Sequence, residues 1–255
     1  MSRSKKSAIN NELIRKRKKK RNRKRILWLF VFITGIFILF SLKTNYFYVN
    51  KVIVEGNKYV VANEVVKQSG ITENTNILYM NVRTIKDGIL SNSYISTVKI
   101  KRKLPNTIVI EIEERSPRYI INNNDKIYIL DSNLFILEVR EDNPLGLPEI
   151  IGLDTEGKNL GEKATDSPRM SYFIENYTRL MDSLSEPIPI SKIDLRDTLN
   201  IKLEINKLII KLGDEEDLED KLNKVINILK EESNYINLEG YIDVSFDGNP
   251  VKLFN

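Results

Sequence analysis

The sequence contains no cysteine and no histidine. Without cysteine there is no disulfide, no thiol nucleophile and no thiolate metal ligand. Without histidine, every His-dependent triad, every His-ligated zinc and the commonest general base near neutral pH are excluded. No Gly-rich phosphate loop of the Walker or dinucleotide kind is present. What remains for catalysis is carboxylate pairs, Ser/Lys dyads or a metal held by carboxylates alone. A Ser/Lys peptidase needs its serine near the outer membrane face in a Ser-Met-x-Pro-type segment, and none occurs; Ser69, Ser91, Ser93 and Ser96 sit among helix ends and turns. The acidic groups Glu111, Glu113 and Glu114, and Asp214 to Asp217, read as a solvated strand face and a helix N-terminus. The sequence therefore assigns no catalytic, cofactor-binding or metal-binding residue.

What is present is a strong separation of charge. Residues 1–25 hold 13 Lys or Arg (Arg3, Lys5, Lys6, Arg15 to Arg21 without a break, Arg23, Lys24 and Arg25) against Glu12, a net of +12. The other 230 residues hold 27 basic and 34 acidic groups, a net of −7. Hydrophobic residues at 41% and charged residues at 29% suit a globular body of one larger or two smaller domains.

The two parts are separated by 17 uncharged residues, Ile26 to Leu42. As a helix rising about 1.5 Å per residue this run covers roughly 25 Å, slightly less than a hydrocarbon core of about 30 Å. Trp28 near one end, Tyr46, Phe47 and Tyr48 after the other, and the snorkelling Arg25 and Lys43 supply the difference. A cleaved signal peptide shares this order, but the run is long for one and no small-x-small site follows Leu42. An all-round apolar helix behind a +12 tail also does not suit a buried core helix. The basic excess predicts a cytoplasmic N-terminus and an extracytoplasmic body. Topology and attraction to anionic lipid account for the basic run without a nucleic-acid partner.

In the body, Val52 and Val54 alternate with Lys51 and Glu55, which predicts a strand ended by Gly56-Asn57. Ala62, Val65, Val66 and Ser69 predict a helix without a good N-cap, stopped at Gly70; Asn81 starts a second, with Val82, Ile85 and Ile89 on one stripe. Val98 to Arg102, a turn at Lys103 to Asn106, and Thr107 to Glu114 predict a hairpin with Ile108, Ile110 and Ile112 on one face.

The order β-α-α-β-β, the Val54-Glu55-Gly56-Asn57 strand end, and above all Arg102-Lys103-Leu104-Pro105-Asn106-Thr107-Ile108 through Glu114-Arg115-Ser116-Pro117 resemble a POTRA domain of the FtsQ/DivIB family. The resemblance continues through Leu147-Pro148 to Gly152 and into a closing element, Tyr241 to Val251. The family commonly has a glycine in the turn placed here at Ser132-Asn133 and an arginine where this chain has Ser245; neither is present. Between these lie a helix opened by Asp166-Ser167-Pro168, a hairpin turning at Asn206-Lys207, and a helix predicted to start at Gly213-Asp214 with Glu215, Glu216 and Asp217 in its first turn.

The expected fold is α+β: a basic tail (1–25), a transmembrane helix (26–42), a POTRA-type module (43–116) and a β-rich mixed α/β domain (117–255) with a closing edge strand. The chain ends soon after that strand, without the long tail of some family members. The resemblance implies a non-enzymatic, single-pass protein of the division septum. It would bind FtsB/DivIC-type and FtsL-type proteins and support septal peptidoglycan synthesis. It also implies β-augmentation on the closing strand, carried over to Tyr241, Ile242, Asp243, Val244, Ser245, Phe246, Asp247 and Gly248, with Phe246 as aromatic anchor. The competing reading of Ile242, Val244 and Phe246 is plain core alternation. A membrane-anchored extracytoplasmic hydrolase of the Ser/Lys kind is the alternative function. A POTRA-containing export factor fits less well, because the chain has a lone span and no β-barrel.

Overall fold

A computed structural model describes residues 3–43, 45–123, 126–184, 188–231 and 236–254, with side chains described from residue 18 onward except at 41–43. Met1, Ser2 and the side chains of Arg3, Lys5, Lys6, Arg15, Lys16, Arg17 and Lys43, which contribute to the expected tail and anchor, lie outside the described residues.

The first element is one helix, α1 (Arg3–Lys43), running from the basic tail through the apolar stretch. Lys and Arg are good helix formers, and no proline or glycine interrupts them before Gly35. The large apolar side chains from Ile26 to Phe40 are exposed. The expected transmembrane helix is not found as such: among the described residues no helix is long and apolar enough to cross a membrane. The uncharged run stops at 17 residues between Arg25 and Lys43, where a full span takes about 20.

The chain divides into two compact units. One comprises residues 1–53, 70–82 and 100–110. Here a 3₁₀ turn (Asn45–Phe47) follows α1, and strand β1 (Lys51–Glu55) begins. The segment after the turn holds two others by backbone bonds. Val49 N–H donates to Thr75 at 2.9 Å, Ile77 N–H to Phe47 at 2.9 Å, and Asn50 N–H to Asn106 at 2.9 Å. Val49, Ile77, Met80, Ile108 and Ile110 are buried. Val109 is buried as well, on the strand face that alternation left to solvent.

The other unit comprises residues 54–69, 83–99 and 111–255. It carries helices α2 (Ala62–Gln68) and α3 (Val82–Leu90, from Arg83), and the outer parts of strands β2 (Ile95–Lys103) and β3 (Thr107–Glu114). The small sheet has the order β1-β3-β2. As expected, α2 has no side-chain cap. Glu114 is not simply solvated: its carboxylate accepts the N–H groups of Lys58 (2.9 Å), Tyr59 (2.6 Å) and Val60 (3.0 Å), fixing the loop that enters α2. Gly56, at φ 92°, has no room for a side chain, because a Cβ would lie 2.1 Å from the carbonyl oxygen of Ile112. The two motifs Val54–Asn57 and Glu113–Pro117 are thus parts of one junction.

Among the described residues the larger sheet has nine strands in the order β12-β11-β10-β9-β8-β7-β4-β5-β6. They are β4 (Tyr119–Asn123), β5 (Lys126–Leu130), β6 (Ile136–Arg140), β7 (Glu149–Ile151), β8 (Lys192–Asp194), β9 (Ile201–Ile205), β10 (Leu208–Gly213), β11 (Gly240–Asp243) and β12 (Val251–Phe254). Helix α4 (Pro168–Ser183) connects the parallel pair β7/β8, and α5 (Leu218–Glu231) the parallel pair β10/β11. Parallel neighbours require such crossovers. Ser167 caps α4 by accepting from Met170 N–H, with Pro168 at the first helical position. Phe173, Ile174 and Tyr177 of α4 and Leu218, Leu222 and Val225 of α5 share one core with Leu203, Ile210 and Ile242 of the sheet.

Helix α5 starts at Leu218, five residues after the expected start at Gly213. Asp217 has φ 50°, which an α-helix cannot accommodate. Asp214 instead turns the chain, accepting from Glu216 N–H at 3.2 Å and from Lys221 Nζ at 2.8 Å. In the β5–β6 turn, Leu134 takes φ 65° in place of the missing glycine and is fully buried. Asp131 holds that turn by accepting from Asn133 and Phe135 N–H.

Candidate functional site

The expected partner residues, Tyr241 to Gly248, fall on β11 and the turn that follows it. The expected edge position is corrected. β11 is an inner strand, parallel to β10 on one side and antiparallel to β12 on the other. The reason is local: Gly248, at φ 122°, and Pro250 fold the chain back, so that residues 251–254 form the outermost strand. Gly240 permits this, because a Cβ there would lie 2.1 Å from the Leu253 carbonyl oxygen.

Register divides the site residues between two faces. Ile242 and Val244 are buried core, and Val244 N–H donates to Lys211 O at 3.0 Å. Tyr241 lies opposite Ile209 and Leu253, and Asp243 opposite Lys211 and Val251. On this outer face Leu253 is 53% exposed, Val251 45% and Ile209 is exposed as well. Phe246, in the turn, is 44% exposed, so core alternation does not extend to it. Lys211 Nζ sits 3.8 Å from the Tyr241 ring centroid and 3.7 Å from the Asp243 carboxylate. Asp243 also accepts from Ser245 N–H (3.1 Å) and Oγ (2.6 Å). Burial pushes the Asp243 carboxyl up, but the Ser245 bonds and Lys211 outweigh it and hold the carboxyl below its usual range. Gly248 O accepts from Lys224 Nζ at 3.3 Å, tying the turn to α5.

The two ends of the large sheet differ. At the β6 end the strand is covered by the chain itself. Ile136 N–H donates to Glu162 O, Gly161 N–H to Ile136 O and Ala164 N–H to Leu134 O, while Ser93 Oγ donates to Leu137 O at 2.5 Å. At the β12 end no further strand lies beyond Val251–Phe254 among the described residues. An end strand with exposed apolar side chains is a template for another strand. Sequence reasoning missed β12, although Val251 and Leu253 alternate with Lys252 after a Gly-Asn-Pro turn.

The serines weighed for a Ser/Lys dyad each donate to a backbone carbonyl: Ser69 to Val66, Ser91 to Gly88, Ser93 to Leu137 and Ser96 to Glu113. Among the described residues no group of three or more Asp and Glu is placed to hold a metal ion.

Residues 47–115 match the POTRA domain of the FtsQ type. The chain is 36% identical over 225 residues to the cell division protein DivIB of Clostridium tetani, covering 87% of this chain and 84% of that one. It is 31% identical to the DivIB of Clostridium botulinum strain Hall, covering 94% and 95% respectively. To the cell division protein FtsQ of Syntrophotalea carbinolica it is 28% identical, covering 79% and 72%.

Proposed function

The chain belongs to the DivIB/FtsQ family of cell division proteins, and from that membership we propose that it is a non-enzymatic septal scaffold, anchored by α1 and docking its partners on β11 and β12. The partners are the FtsB/DivIC-type and FtsL-type bitopic proteins, and through them the scaffold supports septal peptidoglycan synthesis.

The observation that carries the docking reading is the open end of the sheet. An extended partner segment adds beside β12, with backbone bonds supplying affinity and side chains supplying specificity. Val251 and Leu253, with Tyr241 and Ile209 behind them, offer it an apolar surface. Phe246 flanks this surface from the turn, and Asp243 with Ser245 gives it a polar margin.

The anchoring reading rests on the exposed apolar side chains from Ile26 to Phe40, which water disfavours and a hydrocarbon core accepts. Arg25 and Trp28 mark the cytoplasmic interface, and the +12 tail sets the orientation. The module boundaries at residues 25, 42 and 116 belong to the same proposal.

The test is binding of the full chain, reconstituted in a bilayer, to the extracytoplasmic segment of an FtsB/DivIC-type protein. A chain that stays folded yet shows no binding removes the docking reading. Protease added outside protoplasts should digest the body and spare the tail; protection of the body removes the topology. Depletion in the native host should leave filaments without septa.

A further inference from the structure

The unit that contains α1 is net basic beyond the helix, whereas the rest of the body is net acidic. Its residues 44–53, 70–82 and 100–110 carry Lys51, Lys101, Arg102 and Lys103 against Glu73, a net of +3. Residues 54–69, 83–99 and 111–255 sum to −11. Three of the four cations are consecutive at the tip of the β2–β3 hairpin and exposed there. Leu104, next in sequence, is 62% exposed, and Tyr46 and Tyr79 in the same unit are exposed too.

Backbone bonds place this cluster by the chain's own reach. Phe47 is five residues beyond Leu42, so it lies at most about 18 Å from the end of the apolar run. Phe47 accepts from Ile77 N–H, and Asn50 donates to Asn106 in the hairpin turn. Arg102 Nη2 donates to Met80 O at 3.4 Å, joining the hairpin tip to the 70–82 segment. The basic tip, its leucine and the tyrosines are therefore tethered to the first residues after the anchor.

We propose that this tip is a second membrane contact, resting on anionic phospholipid headgroups of the leaflet on the body's side, with Lys101, Arg102 and Lys103 at the phosphates and Leu104, Tyr46 and Tyr79 at the interface. It rests on the anchored reading above. The occupant follows from three features: a net positive charge found in this unit and not in the acidic remainder, aromatic residues suited to the interface, and a tether too short to carry the tip far from the bilayer. The −11 remainder is repelled by the same surface, so the contact orients the body as well as holding it.

The absence of cysteine makes the test clean, since one introduced thiol carries one label. Full chains bearing Leu104→Cys, Leu199→Cys or Ile36→Cys are labelled with an environment-sensitive fluorophore. They are reconstituted in phosphatidylcholine nanodiscs with or without about 30% phosphatidylglycerol, an anionic surface of the kind that attracts polybasic segments. Shallow and deep lipid-borne quenchers then report depth. The Leu104 label should be quenched by the shallow quencher in anionic discs, and the exposed Leu199 label should not. Each cation should favour contact roughly fivefold, so Lys101→Gln with Lys103→Gln should weaken it roughly 25-fold. Arg102 is left intact because it holds Met80 O. Raising salt to about 1 M should release the unaltered chain, guarding against a folding defect in the double variant.

An Ile36 label that the deep quencher does not reach overturns the anchor itself. An Ile36 label that is reached, beside a Leu104 label no more quenched than Leu199, overturns the second contact and leaves the anchor standing. Quenching at Leu104 that ignores phosphatidylglycerol, salt and the lysine substitutions also overturns it.

Discussion

A chain ending at Asn249 lacks β12 and nothing of the sheet's interior. Its loss removes the partly buried Phe254 from the core margin and the Lys252–Glu231 ion pair at 3.4 Å. A half-buried Phe contributes about 1 kcal/mol and an exposed ion pair at most about 1 kcal/mol, so the fold should lose about 2 kcal/mol. That lowers the melting temperature by about 4–8 °C for a body of this size. Docking should suffer more. A strand added beside four residues exchanges a few backbone bonds at about 1 kcal/mol each, so partner affinity should fall on the order of a hundredfold. Titration of the reconstituted chain with an FtsB/DivIC-type segment measures this, with circular dichroism as the folding control. Full-strength binding by a folded, truncated chain refutes the end-strand reasoning. Cutting instead after Gly240 removes Ile242 and Val244, both fully buried, and confounds docking with core loss. Proline at Val244 has the same fault, since its N–H donates to Lys211 O.

Arg115→Ala should cost about 3 kcal/mol in urea unfolding. It leaves the buried Asp131 carboxylate without the guanidinium 3.1 Å away and uncovers the Phe135 ring, over which Arg115 Cζ sits at 3.9 Å; a loss under about 0.5 kcal/mol would refute this, being no more than an ordinary surface change. Gly152→Ala should destabilise by more than about 1 kcal/mol, because φ is 98° and the new Cβ would lie 2.5 Å from Arg196 N. A thermal melt equal to that of the parent chain would show that the two backbones can separate. Asp194, Asp214 and Asp243 all have carboxyls held below the usual range: Arg196 acts chiefly on the first, Lys221 on the second, and on the third Ser245 and Lys211 outweigh burial. A lowered folded value means stability that is fully present above the unfolded value of about 3.9 and lost as pH falls through the folded value. Urea midpoints should therefore fall below about pH 4, and Asp243→Asn should soften that fall. An unchanged acid limb in the variant would show that Asp243 has no linked stability.

How much of this was legible depended on how local the cause was. Helix α4 could be read from Asp166-Ser167-Pro168, since a cap and an early proline both lie within its first turn. The β9–β10 hairpin was legible from alternation on either side of Asn206-Lys207. The start of α5 was not, because four acids suit a helix N-terminus equally well whether or not they are helical. A single residue, Asp217 at φ 50°, decides it. Strand β4 was missed since Tyr119 to Asn123 has no clean alternation; its first three residues are buried in succession, as an inner strand's are. Glu114 looked like any solvated carboxylate because its partners are the backbone of residues more than 50 positions away.

The site shows the same division. Alternation separated Ile242 and Val244 from the outer face but could not tell which strand would lie outermost, because that depends on who pairs with whom. Here the answer turns on small residues at both ends of the sheet. At one end Gly161, at φ 82°, lets the 159–164 segment run against β6 and take up its edge. At the other, Gly240 lets β12 approach β11, since any side chain there would meet the Leu253 carbonyl. The first glycine seals an edge against unwanted pairing; the second builds a new edge four residues long, carrying Val251 and Leu253 outward. A short, apolar end strand is limited enough to resist indiscriminate pairing yet sufficient to receive one extended segment. In the proposed docking, the closing turn sets where a partner segment would add, while the core residues of β11 set the platform beneath it.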